Sequence, residues 1–172
     1  LDLEMGKKDG NPLHFATFIP TDIDILTHGQ WDEINNTPVW RLKIKAHEAK
    51  GVNLYFDSFE IPSNGKLFIY DEDRTQVIGA FTSFNNHKSE LFATEIINNS
   101  SLIIEYIHES NELPRLSIDK IGYAYRDING GGAFGSSAYC QVNANCSEGD
   151  DWQEQSRSVC RLIIPDGNFI GF

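Results

Sequence analysis

The chain has 172 residues, 40% of them hydrophobic, and a formal charge of −11. That length supports one domain with a real core and is marginal for two. The acidity repels phosphate backbones and argues against nucleic acid, the scattered basic residues offer anionic lipid no patch, and no apolar run approaches the ~20 residues of a membrane span.

Residues 1–11 are polar, and Met5 to Asn11 is turn chemistry. Phe15, Phe18 and Ile19 begin a strand that Pro20 pushes toward an edge. Gly29 to Pro38 reads as a loop carrying Trp31. From Trp40 to His47 the pattern alternates: Trp40, Leu42, Ile44 and Ala46 on one side, Arg41, Lys43, Lys45 and His47 on the other. A period of two means a strand with one buried and one wet face. Val52 to Ile61 is the next strand. Leu54 and Phe56 share a face there while Phe59 and Ile61 fall out of phase, which predicts a bulge near Ser58.

Pro62-Ser63-Asn64-Gly65 is a turn. Leu67 to Tyr70 is a short strand expected to be buried on both faces, Asp71 to Arg74 turns the chain, and Val77 to Thr82 returns. After a loop at Asn85 to His87, Leu91 to Ile97 and Leu102 to His108 flank a polar four-residue turn and suggest a hairpin. Pro114 opens a last strand, Leu116 to Tyr125, whose phase slips at Asp119-Lys120. Strands at roughly 8–12-residue spacing with turn residues between them predict an all-β, jelly-roll-like β-sandwich.

The polar candidates read as structural. His47 and His108 end strands on expected wet faces, and His14, His28 and His87 fall in loops. Asp71 and Asp73 lack the remaining oxygen ligands of a calcium loop. Trp40 is in phase with the core, whereas Trp31 is open to a recognition role. No metal or cofactor site is expected.

A glycine-rich run from Asn129 to Ser137 then leads into Cys140-Gln-Val-Asn-Ala-Asn-Cys146-Ser-Glu-Gly-Asp-Asp-Trp152, with Cys160 beyond it. Asp150 to Val159 is the best helical candidate, short and polar. Three thiols at these spacings, with no histidine after His108, make no recognisable zinc site. Cys-x5-Cys followed by Glu-Gly-Asp and by Arg157-Ser158-Val159 resembles the start of the catalytic domain in bacterial lysyl-endopeptidase-like, trypsin-type serine proteases. Trp40 to Ile44, Leu54 to Phe56, Leu67 to Asp71, Gly79 to Thr82 and Ile104 to Tyr106 resemble the β-rich region that precedes that domain in Bacteroidetes members.

The resemblance implies three parts: a sandwich N-terminal or pro-domain over 1–128, a linker over 129–138, and from 139 to 172 an incomplete beginning of a trypsin-like double β-barrel, with strand expected over Ser158 to Ile164. It implies that Cys140 and Cys146 are disulfide candidates whose partners lie further along the catalytic domain. It also implies that the pro-region is removed shortly before the first cysteine, with Arg126 the processing candidate in a window reaching Ala138. No Gly-Asp-Ser-Gly-Gly stretch occurs, so the triad is expected downstream, and these residues are expected to be non-catalytic. The expected partner is the chain's own protease domain. The expected location is outside the cell or at its surface, an exported chain beginning at or after its processed end. A second reading stays open: a sandwich module that binds glycan or other cell-surface proteins, since sandwiches host both roles.

Overall fold

A computed structural model describes residues 14–108, 112–126, 147–159 and 162–171. The chain divides into two compact units, one of Ala16–Arg126 and one combining Leu1–Phe15 with Asp127–Phe172.

The first unit is all-β. Its strands are β1 (Ala16–Asp24), β2 (Gln30–Ile34), β3 (Thr37–Lys45), β4 (Gly51–Glu60), β5 (Gly65–Tyr70), β6 (Val77–Phe81), β7 (Phe92–Ala93), β8 (Ser101–His108) and β9 (Arg115–Ala124). Within this unit one antiparallel sheet runs β1-β9-β4-β7, and the other runs β2-β3-β8-β5-β6. After β3 the chain crosses to the other sheet at nearly every connection. Strands β1-β9-β4-β7 over β3-β8-β5-β6 make the eight-stranded jelly roll, with β2 an added arm beside β3.

The alternating residues meet between the sheets. Trp40 and Ile44 from β3, Leu54, Phe56 and Phe59 from β4, Leu67 and Ile69 from β5, Leu102, Ile104 and Tyr106 from β8, and Leu116, Ile118 and Ile121 from β9 form one buried cluster. The expected bulge is present: β4 breaks register with β9 between Tyr55 and Phe56 and again between Phe56 and Ser58. The expected phase slip is its counterpart. The register against β9 steps from Lys120 to Ile118 on both flanking strands, β1 and β4, passing over Asp119.

Three expectations change. Gly29 to Pro38 is not a loop but mostly hairpin, since β2 pairs with β3 through a two-residue turn in which Asn35 and Asn36 have φ of 51° and 61°. Both central residues of a type I′ turn need positive φ, which asparagine tolerates. Leu91 to Ile97 and Leu102 to His108 are not hairpin partners. β7 pairs with β4 in one sheet and β8 lies in the other. Thr94 extends the β4 edge instead, donating its N–H to Leu54 O and accepting Leu54 N–H on Oγ1. A chain crossing between sheets buries Ile97 and Leu102 as fully as a hairpin would, so their apolar pattern is the same in both cases. His108, finally, is only 4% exposed: it continues the inward phase of Leu102, Ile104 and Tyr106.

In the second unit, the short polar helical candidate is a 3-10 turn, Ser147–Trp152, running into α1, Gln153–Ser156. Of the described residues in the expected strand over Ser158 to Ile164, only Ile164 is in one. It opens a small hairpin, β10 (Ile164–Asp166) with β11 (Phe169–Gly171). Val159, Leu162 and Ile164 are exposed.

Candidate functional site

The antiparallel strands give the sandwich two ends of different character. At the end where β3, β5 and β9 finish and β6 begins, the connections are stitched together. Ala46 N donates to Ser100 O (2.7 Å) and Lys50 N to Ala124 O (2.7 Å). Tyr123 Oη donates to His47 O (2.9 Å). Gln76 spans two loops, donating from Nε2 to Ile96 O and accepting from Asn98 N. Asp71 is buried and closes its own turn by accepting from Thr75 Oγ1 and Gln76 N, and these bonds, the Thr75 hydroxyl first, hold its carboxyl below the usual range. Glu72 accepts from Lys43 and Ser101, which likewise lower its carboxyl. The Asp71 and Glu72 carboxylates therefore bond to protein, and among the described residues no cluster of three His, Cys, Asp or Glu offers a metal site.

The opposite end gathers the β2–β3 hairpin, the β4–β5 turn, the β6–β7 connection and residues 112–114 before β9. Here the polar groups are less completely used. Tyr106 is fully buried and His108 nearly so, their rings stacked 5.7 Å apart at 19°. Trp31 stands edge-on to both, at 6.3 and 5.6 Å, and remains 38% exposed. Tyr106 Oη and His108 Nδ1 are buried without a hydrogen-bond partner. Burial, and secondarily the negative charge of Glu112, pushes the Tyr106 phenol up to about 12, so it stays a protonated donor. Glycine is needed beside it: a Cβ on Gly65 would sit 2.6 Å from Tyr106 Oη and 2.7 Å from Ile61 Cγ2.

Ile61 also lines an open cleft of about 380 Å³, with Glu60, Pro62, Glu112, Leu113 and Arg115. Arg115 donates to Glu60 (Nε, 2.6 Å) and to Glu90 (Nη2, 3.0 Å), which ties β9 to the β4 terminus and to the β6–β7 connection. Asn86 reinforces that tie, its side chain accepting Ile61 N–H and donating to Ile61 O, both at 2.9 Å. Ahead of both ties the connection carries Phe84, 98% exposed, on a 3-10 turn (Ser83–Asn85) closed by a capping box between Thr82 and Asn85. Leu91 and Leu113 are also exposed. The described lining residues offer carboxylates, a guanidinium and apolar side chains, groups suited to holding a partner with both polar and apolar surface.

Of the residues singled out in the sequence, Trp40 is core, 2% exposed, with Nε1 donating to His28 O at 2.8 Å. Trp31 belongs to the open end. Arg126 is the last residue of the sandwich unit, half-buried, its guanidinium 5.6 Å from the Tyr125 ring centroid. Cys140, Cys146, Cys160 and the glycine-rich run lie outside the described residues. The Tyr106–His108 pair was missed because histidine at a strand end was read as wet. The two-residue period running through Leu102, Ile104 and Tyr106 is the signal that places it inside. No family model matches the chain.

Proposed function

We propose that Ala16–Arg126 is the non-catalytic N-terminal domain of a secreted or cell-surface trypsin-like serine endopeptidase, assisting its folding or holding it latent until the linker is cut. The observation that carries this reading is where the sandwich ends. Its compact unit closes at Arg126, two residues before the glycine-rich run. A folded domain followed by a glycine-rich stretch suits a processing protease, because the scissile segment must be able to lie extended in another active site and glycine leaves the backbone free to do so. The resemblance of Cys140 to Trp152 to the opening of a trypsin-like catalytic domain supplies the protease side of the reading. In it, Cys140 and Cys146 pair with cysteines further along that domain, and the catalytic groups lie there too. Limited proteolysis of the full-length precursor is the test. The first cut is expected between Arg126 and Ala138, with activity following release of the sandwich. A first cut elsewhere, or full activity in the uncut precursor, overturns the latency role.

A second reading has its own support. The open end, with Trp31 over Tyr106 and His108 beside a cleft, suits a binding module for glycan or protein. Titration of oligosaccharides against the wild type and Trp31→Ala separates the two. Saturable binding lost in the variant favours the module.

A further inference from the structure

We infer that His14 and Phe15 form a docking edge for the segment that follows the glycine-rich run, so that cutting the linker leaves the two pieces bound and release is a separate, later event. The timing rests on the pro-domain reading; the docking does not. Phe15 is joined directly to Ala16, the first residue of β1. The hairpin β10–β11 is reached from the sandwich only through residues 127–163, which include the whole glycine-rich run. Cutting that run removes the covalent connection and leaves whatever His14 and Phe15 hold.

They hold the hairpin at three points. Phe15 N–H donates to Ile170 O at 3.0 Å, and both residues are fully buried. His14 Nε2 and Asp166 Oδ2 are 2.8 Å apart. The His14 ring lies parallel to that of Phe169, 4.8 Å between centroids and 6° between planes. The hairpin register explains how one imidazole meets both groups. Asp166 pairs directly with Phe169 across the two strands, joined by the Gly167-Asn168 turn, so a carboxylate and an aromatic face stand side by side. Glycine leads that turn with φ of 58°, as a tight two-residue hairpin favours. A backbone bond, a carboxylate–imidazole bond and a ring stack from consecutive residues fix register as well as affinity, which a linker trailing past the sandwich would not need. Val159, Leu162 and Ile164 are exposed, whereas Ile170, bonded through its carbonyl to Phe15, is buried.

The test uses the whole 172-residue chain with a unique protease recognition sequence inserted between Gly132 and Ala133. After cutting, the dissociation constant of the two fragments is measured by size-exclusion chromatography on dilution. The wild-type fragments are expected to co-elute at micromolar concentration. His14→Ala with Phe169→Ala removes the carboxylate–imidazole bond and the stack, and is expected to weaken the pair by about 10- to 100-fold. Asp166→Asn, which leaves the sandwich-linked residues untouched, is expected to weaken it less. An unchanged sandwich melt shows that the variants are folded. Wild-type fragments that separate on cutting overturn the docking, and so does a double variant that binds as tightly as the wild type. Neither readout needs proteolytic activity: a full-length chain that stays inactive after its linker is cut and the sandwich is released overturns the protease reading alone, and fragments that part freely overturn the docking alone.

Discussion

At the scale of single residues, the sandwich contains both tightly satisfied and unsatisfied groups. Trp40 is the clearest satisfied case, its ring in the core and its indole N–H on His28 O. Trp40→Ala is expected to cost about 3–5 kcal/mol in a denaturant melt, because the cavity cannot collapse between two sheets. Tyr106 is the opposite case. Its buried hydroxyl finds no partner, so Tyr106→Phe is expected to leave stability unchanged or raise it by up to about 1 kcal/mol. The same substitution has a pH signature. A phenol raised in the folded state adds stability that is whole below the ordinary tyrosine range near pH 10 and is lost as pH rises toward about 12. Stability measured across that window should fall less steeply in Tyr106→Phe than in the wild type. Trp40 was legible because its phase and its residue type agree. His108 was not, because they disagree and the phase prevailed: in a strand buried on its inward side, position outranks the residue's average preference for water.

At the scale of elements, strands were more legible than the links between them. The β4 bulge and its counterpart at Asp119 followed from phase alone, since one extra residue moves every later side chain to the other face. The β2–β3 hairpin escaped notice because β2 is exposed along its whole length and carries no apolar alternation. Its one signal is the Asn35-Asn36 turn. Asn36→Gly relieves a positive-φ position without touching a contact and is expected to stabilise by about 0.5 kcal/mol, read as a shift of the denaturant midpoint at constant slope. The turn before β6 is expected to respond to acid. Asp71 and Glu72 have carboxyls lowered in the folded state, so their stabilisation is complete above the ordinary carboxylate range and is lost as pH falls through their lower folded values. Asp71→Ala, which removes the charged acceptor of the Thr75 hydroxyl and the Gln76 N–H, is expected to cost about 2 kcal/mol near neutral pH. Its deficit against the wild type should shrink in melts at progressively lower pH.

At the scale of the molecule, the sandwich class was legible from the even spacing of strands and turns. The open end was not, because it is assembled from four connections far apart in sequence, and only the strand order brings Trp31, Gly65, Phe84 and Leu113 to one side. The same strand order has a consequence for how such a domain can be carried. Ala16 and Ala124, where the chain enters and leaves the sandwich, are register partners on adjacent strands, about 4.5–5.5 Å apart at Cα. A fold whose two ends touch can be spliced into an exposed turn of an unrelated protein without spreading the host apart, and its ends can be joined while a new opening is made elsewhere. A version of 16–126 closed by a short glycine-serine bridge and reopened in the Pro62–Gly65 turn is expected to fold, with a far-ultraviolet spectrum matching the parent. Evolution could thus have moved this sandwich as a cassette plugged in through a single point of the host surface.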